Sequence, residues 1–269
     1  MSPKRKYNVL VLKFANVNGK GSASANMLCA KALFRMGIPV SAKNIFPSNI
    51  QGLPTWYEIR ASQAGHLARR EGVDLMVALN PQSYAHDVRD VSPGGTLVYV
   101  SSREREFGRS EIDVIGIPLA RMCAQHWSNP RQRQLFKNMV YLGALISLID
   151  LDGEIVEQAI SDNFKGKPKL IEPNIKALHL GREYADGLDL PPLPIAARKT
   201  LRGNKGKIMI QGNEAAGLGA VFGGAAGAAW YPITPSTSLV EAFETHAHRF
   251  RTDQNGRLNA AIVQAEDEL

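Results

Sequence analysis

The sequence contains only two cysteines in 269 residues, Cys29 and Cys123. Neither belongs to a Cys-x-x-Cys pair, so this chain alone cannot build a cysteine-ligated zinc site or an iron–sulfur cluster. Both cysteines lie in apolar segments with helical spacing, and we interpret them as small core residues. The six histidines show neither a His-Glu-x-x-His motif nor the spacing of a catalytic triad. No metal site is therefore predicted on this chain.

The sequence also has no long apolar run. No apolar run reaches the roughly 18 residues that a membrane-spanning helix requires. No signal peptide precedes Tyr7. The sequence therefore predicts no membrane partner, and the sparse cysteines suit the reducing environment of the cytoplasm.

Positive charge exceeds negative charge, but it is not concentrated. The net charge is +7, and part of it lies in a short basic tail at residues 4–6. No dense basic run interleaves with aromatic residues, so nucleic-acid binding is not predicted. The charge is better suited to attracting an anionic partner, such as a phosphorylated cofactor or an acidic carrier protein.

Short apolar runs of strand length alternate with helical patterns in the first half of the chain. These runs occupy residues 7–14, 73–80, 95–102 and 112–118. A glycine-bearing turn follows the first run and leads into a helix predicted over 24–37. This alternation predicts an α/β fold with a parallel sheet covered on both faces. From about residue 118 to residue 184 the pattern is helical.

A change of composition over residues 187–206 divides the chain. Three prolines between positions 191 and 194 cannot lie inside a helix or a central strand. We therefore predict a domain over 1–190, a linker over 191–206 and the start of a second domain over 207–269. In that last segment the pattern predicts a short strand at 207–212, followed by a helix of small residues through 230. Two βα units are few for an independent sheet.

The first glycine turn contains Gly19, Gly21 and Ser22 between the first strand and the first helix. It resembles the G-x-G-x-x-G pattern with the last glycine replaced. Such a turn can bind phosphate on backbone N–H groups at a helix N-terminus. The missing third glycine, and the lack of an acidic residue about 20 positions later, weaken a dinucleotide site. A tight turn without a ligand remains an equal alternative.

Two other polar loops are candidate contacts. In the first, Asn49 and Gln51 precede a strand-like segment that contains Trp56. It is either a surface loop with a half-buried tryptophan or a surface for a ligand or partner. In the second, Asn80 and Gln82 follow a predicted strand directly, where ligands bind in open parallel sheets. Asn80-Pro81 is equally typical of an ordinary turn.

The segment "WYPITPST" is the most unusual part of the sequence. Pro232 and Pro235 fix the backbone on both sides of Thr234. Ser236 can cap a helix predicted over 237–249, which leaves Thr234 free to face outward. A hydroxyl held beside a helix N-terminus suits a carboxylate or phosphate ligand. A well-capped junction without a ligand explains the same residues.

A second acidic candidate lies close to the end of the sequence. The segment "NAAIVQAE" reads as an apolar strand that ends at Glu266. A carboxylate in that position would lie at the edge of a sheet where its strands end. A solvated acidic helix start is the alternative.

These motifs together resemble a known family. "GNEAAGLGA", "WYPITPSTSLVEAF" and "VQAEDEL" are similar to the first part of the α subunit of 2-oxoacid:ferredoxin oxidoreductases. "NVNGKGSASAN" and "FPSNIQGLPTWYEIR" resemble the γ domain of that family. In one bacterial subgroup, generally assigned to 2-oxoglutarate, the γ domain precedes the α domain in a single chain, as it does here. The resemblance covers essentially the whole chain and implies a γ-type domain followed by the first βα units of a thiamine-diphosphate-binding fold.

The resemblance also assigns roles to particular residues. It implies that Thr234 contacts the 2-oxoacid near the thiazolium of thiamine diphosphate. It implies that Glu266, or alternatively Glu268, hydrogen-bonds N1′ of the aminopyrimidine and so favours the tautomer that removes the C2 proton. The γ domain would help to enclose coenzyme A, with candidate contacts at Gly19, Gly21, Ser22, Asn49 and Gln51.

The family further implies a multi-subunit enzyme. A β subunit would carry Mg²⁺ and the iron–sulfur cluster, and ferredoxin would accept the electrons. Family α subunits continue beyond the matching segment with a TSGPG-type loop and a substrate-binding arginine. The chain is thus expected to be a fragment or one piece of a split subunit, and inactive when isolated. Two alternatives are a non-catalytic assembly or binding module and a Rossmann-like nucleotide-binding protein.

Overall fold

The computed structural model describes residues 5–46, 52–102, 105–201 and 203–267. Asn49, Gln51 and Glu268 therefore lie outside the described residues. The chain divides into two compact units, residues 1–207 and 208–269. Within the described ranges, no helix combines the length and the apolar character needed to cross a bilayer.

A six-stranded sheet forms the centre of the first unit. After a two-residue strand β1 (Lys6–Tyr7), its strands are β2 (Val9–Val17), β3 (Val40–Ile45), β4 (Pro54–Ser62), β5 (Val73–Ala78), β6 (Val91–Val100) and β7 (Asp113–Ile117). Their order across the sheet is β3-β4-β2-β5-β6-β7. The four strands predicted from the apolar runs are β2, β5, β6 and β7, and they pair in parallel as predicted.

The other two strands make the sheet mixed. β4 runs antiparallel to both β2 and β3. The chain between Ile45 and Pro54 is too short for the crossover of a dozen or more residues that a parallel pair needs. An antiparallel connection is the one such a short segment can make. The start of β4 consequently lies at the same edge of the sheet as the end of β2.

Helices cover both faces of this sheet. They are α1 (Ser22–Arg35), α2 (Tyr84–Asp90), α3 (Leu119–His126), α4 (Pro130–Leu148), α5 (Gly153–Asn163) and α6 (Ile171–Asp186), with a short 3₁₀ turn at Pro168–Leu170. Phe14 of β2 packs against Tyr141 of α4, with ring centroids 5.9 Å apart. Its neighbour Ala15 packs in a buried cluster with Tyr84 and Val88 of α2. Because adjacent strand residues point to opposite faces, α4 and α2 cover opposite faces.

The pairing of α4 with α6 depends on two glycines. Gly143 of α4 approaches the carbonyl of Leu178, and Gly181 of α6 approaches the carbonyl of Val140. A Cβ atom at either position would overlap that backbone oxygen. The two helices are therefore in contact through their backbones.

The proline-rich segment after α6 packs along the first unit. Its strand β8 (Ile195–Ala196) pairs in parallel with β1. The Leu193 and Ile195 side chains are buried. Further along, the Thr200 amide donates to the Met36 carbonyl at 2.8 Å. These contacts tie the segment to the first unit.

The second unit contains two helices and a two-stranded parallel sheet. Its elements are α7 (Gly212–Phe222), β9 (Gly227–Trp230), α8 (Thr237–Arg251) and β10 (Ala261–Gln264). Val221, Phe243 and Ala247 form its buried cluster. The sheet and this small cluster are the scaffold for the proline-rich turn.

Two sequence-based predictions in this unit are wrong. No strand forms at residues 207–212, where the Ile208 side chain is 73% exposed and the described residues offer no pairing strand. The small-residue helix does not run to residue 230, because it ends at Phe222. Gly224 adopts a left-handed backbone at φ 90, and residues 227–230 then pair with β10.

Candidate functional site

The glycine turn joins β2 to the N-terminus of α1. Gly19 (φ 84) and Gly21 (φ 74) both adopt left-handed backbone conformations, which glycine reaches without steric cost. A Cβ on Gly21 would also lie 3.1 Å from the Leu135 side chain. The Asn138 amide donates to the Lys20 carbonyl at 3.1 Å. The turn is therefore fixed both by its glycines and by α4.

The turn lies at the topological switch point of the sheet. From β2 the chain leaves toward β3 on one side, and from β5 it leaves toward β6 on the other side. β2 and β5 are adjacent and parallel, so a crevice opens between their carboxyl ends. Ligands of open α/β sheets bind in this crevice.

A cavity of about 260 Å³ opens at this edge. Gly19, Gly21 and Ser22 line it as predicted candidates, so the structure brings these three together. The sequence reading missed Asn16 and Asn26, which also line it. Asn26 follows Ser22 by four positions on the same helix, a spacing that places both on one face and could have revealed it.

Asn80 occupies the other side of the switch point. The Leu79 amide donates to the Ala15 carbonyl at 2.8 Å, so Asn80 begins the loop at this edge of β5. Its Oδ1 accepts from the Gln82 amide at 3.1 Å, as an ordinary turn would. Its Nδ2 is buried and has no hydrogen-bond partner among the described residues. A buried amide of this kind can donate to a bound acceptor.

A buried polar network lies on the face of the sheet that α2 covers. Trp56, which lines the cavity, donates from Nε1 to Asp87 Oδ1 at 2.7 Å. The other oxygen of Asp87 accepts from the Ser83 hydroxyl at 2.7 Å. Burial raises the pKa of the Asp87 carboxyl, against the lowering effect of these two hydrogen bonds. The sequence carries no signal for this network, because it joins residues 31 positions apart.

A larger cavity, about 780 Å³, lies toward the other end of the sheet. Five cationic side chains line it, and carboxylates already pair with four of them, namely Lys13, Arg69, Arg70 and Arg109. Lys13 Nζ is 2.5 Å from Asp90, and Arg69 makes a two-pronged contact with Glu58 at 2.7 Å. We prefer the smaller cavity as the ligand site, because its glycine turn offers backbone donors at a helix N-terminus.

The proline-rich turn of the second unit presents Thr234 to solvent. The hydroxyls of Ser236 and Thr237 both donate to the Ile233 carbonyl, at 3.0 and 3.1 Å. Asn213 at the start of α7 donates to the Pro235 carbonyl at 2.7 Å. Ser236 is the N-cap residue as predicted, but its side chain accepts no helix amide, because its hydroxyl is directed to Ile233.

Glu266 lies at the same edge of the two-stranded sheet as this turn. β9 and β10 are parallel, and the Ala265 amide donates to the Trp230 carbonyl at 2.7 Å. Thr234 follows the end of β9, and Glu266 follows the end of β10. The Glu266 side chain is exposed. The fold therefore brings the two predicted residues to one edge of this unit.

Two curated relatives align with most of this chain. The 2-oxoacid:ferredoxin oxidoreductase 2 subunit alpha of Aeropyrum pernix is 26% identical, over 93% of this chain and 46% of that protein. The 2-oxoglutarate oxidoreductase subunit KorA of Mycobacterium tuberculosis is 22% identical, over 97% of this chain and 43% of that protein. This chain spans about half the length of the curated relatives it matches.

Solved structures and a family model agree with these relatives. The 2-oxoglutarate:ferredoxin oxidoreductase from Magnetococcus marinus, with 2-oxoglutarate, coenzyme A and succinyl-CoA bound, matches 98% of this chain and 44% of its own at a TM-score of 0.80 and 27% identity. The model for pyruvate ferredoxin/flavodoxin oxidoreductase matches residues 11–184. Because that match spans more than half of the sequence, the chain belongs to the pyruvate ferredoxin/flavodoxin oxidoreductase family.

Proposed function

We propose that this chain works in a 2-oxoacid:ferredoxin oxidoreductase, which converts 2-oxoglutarate or a related 2-oxoacid to its acyl-CoA while reducing ferredoxin. Residues 1–190 would be a γ-type domain, 191–206 a linker and 207–269 the start of the α domain. The choice of 2-oxoglutarate follows the Magnetococcus enzyme and the KorA subunit. A β subunit would contribute Mg²⁺, the diphosphate site and the iron–sulfur cluster.

The observation that carries this proposal is the shared edge of β9 and β10. A threonine hydroxyl and a glutamate carboxylate follow two adjacent parallel strands there, and both are exposed. Ligands of parallel sheets bind beyond such carboxyl ends. A hydroxyl donor and a carboxylate are also the groups that a 2-oxoacid and an aminopyrimidine would need.

Thiamine diphosphate fits this pair of residues chemically. When bound, it supplies the carbon nucleophile and electron sink for decarboxylation. Glu266 would hold the aminopyrimidine by accepting a hydrogen bond at N1′, which keeps the ring in its proton-accepting tautomer. Thr234 would donate to the 2-oxoacid and orient it. The bonds from Ser236 and Thr237 to Ile233 would keep the turn, and with it the Thr234 hydroxyl, in place.

Coenzyme A would use the switch-point cavity of the first unit. Its phosphates suit the backbone N–H groups of the turn at Gly19, Gly21 and Ser22. The family's polar loop with Asn49 and Gln51, which lies outside the described residues, is the second candidate contact. A cavity of about 260 Å³ is smaller than the roughly 300–1,000 Å³ that encloses a whole drug-sized ligand. It would therefore hold one part of coenzyme A.

The proposal is tested in the complete complex, purified with its β subunit. The assay follows 2-oxoglutarate- and coenzyme A-dependent reduction of ferredoxin or a dye. Replacing Thr234 by valine keeps the shape of the side chain and removes its hydroxyl. We expect turnover to fall about 100-fold, as for other positioned donors, with a stability change below about 1 kcal/mol.

Thr245→Val is the matched control. The Thr245 hydroxyl donates to the Glu241 carbonyl within α8 and is outside the turn. This variant should keep normal turnover. A Thr234→Val complex with normal turnover but a large loss of stability would reduce Thr234 to a structural role. An assembled wild-type complex that reduces no acceptor would favour the assembly-module alternative.

The Rossmann-like alternative has one structural argument against it. In that fold the strand beside the glycine turn is parallel and ends in the acidic residue that binds the ribose. Here the neighbour of β2 on that side is the antiparallel strand β4. Tight NAD(H) binding without any binding of coenzyme A would nevertheless restore this alternative.

A further inference from the structure

Two buried asparagines line the switch-point cavity on the face of the sheet that α4 covers. Asn16 lies on β2 two positions after Phe14, whose ring packs on α4, so both side chains point to that face. Asn26 lies on α1, one helical turn beyond Ser22. Asn16 and Asn26 are only 6% and 2% exposed, yet both line the cavity. They are therefore placed to contact a ligand there.

Both side-chain amides are oriented by donors within the fold. Asn16 Oδ1 accepts from the Val17 amide at 2.8 Å, and Asn26 Oδ1 accepts from the Tyr141 hydroxyl at 2.8 Å. Burial raises the pKa of the Tyr141 hydroxyl well above its usual range, so this hydroxyl keeps its proton and stays a donor. Because each oxygen is held in this way, each NH₂ group is directed elsewhere.

The two NH₂ groups are left available for a ligand. Neither donates to any residue that the structure describes. Each carries two N–H bonds, and a buried donor without a partner costs free energy unless a bound acceptor satisfies it. The described residues that line the cavity include no charged side chain. The cavity therefore combines neutral side-chain donors with the backbone N–H groups of the glycine turn.

Such an arrangement selects a ligand group that accepts hydrogen bonds and donates none. The oxygens of an ionised phosphate meet this condition, and the N-terminus of α1 favours their negative charge. Donors fixed in advance also lower the entropic cost of binding. A phosphate is thus the chemical group that fits this part of the cavity.

We propose that Asn16 and Asn26 bind a phosphate of coenzyme A through their side-chain NH₂ groups, and that Tyr141 is a positioning residue that directs the Asn26 amide toward it. The inference rests on the proposed function, which places coenzyme A in this cavity. It adds two side-chain donors, on β2 and α1, to the backbone donors of the glycine turn. The phosphate is then bound from both elements that the turn connects.

The test replaces each NH₂ group by an oxygen. Asn16→Asp and Asn26→Asp keep an acceptor for Val17 and Tyr141 but place a carboxylate where the donor was. Calorimetric titrations use the full 269-residue chain with coenzyme A and with 3′-phosphoadenosine 5′-diphosphate, which carries all three phosphates and no pantetheine carbonyl. Each variant should weaken both ligands by about 100-fold or more, because it loses a charge-assisted bond and adds like-charge repulsion.

Asn163→Asp is the matched control. It adds the same charge at an exposed position at the end of α5. Because exposed charges are screened by salt, both dissociation constants should stay within about twofold of wild type. Equal losses for Asn163→Asp and Asn26→Asp would show that net charge, and not a positioned donor, controls the affinity.

The positioning role of Tyr141 is tested by a double-mutant cycle. Tyr141→Phe removes the hydroxyl that orients the amide and keeps the ring that packs on Phe14. Alone it should weaken coenzyme A by about 3- to 10-fold, the effect of one ordinary hydrogen bond. In a chain that carries Asn26→Leu it should change the affinity by less than about twofold. An equal effect in both chains would make Tyr141 a purely structural residue.

The double variant Asn26→Leu/Tyr141→Phe also keeps the test valid if Asn26→Asp fails to fold. Replacing both partners of a buried hydrogen bond by apolar groups of similar shape is nearly neutral for stability. This variant should still bind both ligands about 10- to 100-fold more weakly than wild type, the effect of one lost bond to a charged group. Wild-type affinity would overturn the role of Asn26.

The outcomes separate this inference from the proposed function. If the aspartate variants weaken coenzyme A but not 3′-phosphoadenosine 5′-diphosphate, the donors bind a pantetheine carbonyl and the phosphate assignment is wrong. If coenzyme A binds all variants as it binds wild type, the coenzyme A site stands without these asparagines. If the wild-type chain and the assembled complex bind neither ligand, the proposed coenzyme A site itself is wrong.

Discussion

The two compact units hold their candidate residues in different ways. In the first unit, β2 has a strand on each side and a helix on each face, and its glycine turn is tied to α4 by a bond that joins residues 118 positions apart. In the described part of the second unit, β9 and β10 pair only with each other. The turn that carries Thr234 is held mainly by hydrogen bonds to residues three or four positions away.

This difference shows what a complete core adds to a site. In the first unit the Asp87 carboxylate is completely buried, and it accepts the hydrogen bond from the Trp56 indole N–H. This bond fixes the orientation of the indole. In the second unit, Phe222 and Val263 remain largely exposed, at 71% and 58%. Site residues there depend on local backbone chemistry. Substitutions should therefore act globally in the first unit and locally in the second.

The largest expected contrast is between two helical glycines. Gly143→Ala would push a Cβ into the Leu178 carbonyl, and neither backbone can yield. We expect the first unit to lose about 3 kcal/mol or more of unfolding free energy, at the upper end of overpacking costs. Gly219→Ala in α7 meets open space and should stabilise the second unit by up to about 1 kcal/mol. Chemical denaturation followed by tryptophan fluorescence measures both. Similar changes in unfolding free energy for the two variants would contradict the proposed difference between the units.

A medium effect is expected from Asn213→Ala. Asn213 donates to the Pro235 carbonyl and to the Ser238 hydroxyl, so the variant loses two partly exposed hydrogen bonds. We expect a loss of about 1–2 kcal/mol and faster hydrogen exchange confined to residues 236–239. Asn255→Ala, at an exposed turn position, is the control and should stay within about 0.5 kcal/mol. Faster exchange spread over the whole second unit would argue against local fixation.

The smallest effect is a dependence of stability on pH. Burial raises the pKa of Asp87, so the folded protein favours its protonated form more than the unfolded chain does. Its contribution to stability is therefore greatest in acid and falls as pH rises through the folded pKa. Asp87→Asn removes this titration and should become more stable relative to wild type between about pH 4 and pH 7.

Asp162→Asn provides a control of opposite sign. Hydrogen bonds from Gln158 and Arg35 lower the pKa of this exposed carboxyl. Its contribution is present above the unfolded pKa and is lost as pH falls, so the asparagine variant should lose stability relative to wild type as pH rises. Denaturation midpoints test the two signs, between about pH 4 and pH 7 for the Asp87 variant and below about pH 4 for the Asp162 variant. Parallel trends would show that burial does not control Asp87.

Much of the first unit could be predicted because its signals are local. Apolar runs located the four parallel strands, and Asp152 caps the helix that follows it, its Oδ1 accepting from the Ile155 amide at 3.2 Å. Strand β3 was missed, since Val40–Ile45 is half-exposed and lacks a buried apolar run. The strand predicted at 207–212 was wrong for a related reason, because a strand exists only where another strand accepts its hydrogen bonds.

The sequence by itself determined the backbone of both candidate turns. Glycines at 19 and 21 permit a left-handed backbone, and prolines around Thr234 fix φ, whatever surrounds them. Only the tertiary structure decided that β4 runs antiparallel beside β2, and that Trp56 meets Asp87. Those contacts join distant residues, and their free energy comes from burial that no local stretch of sequence can provide.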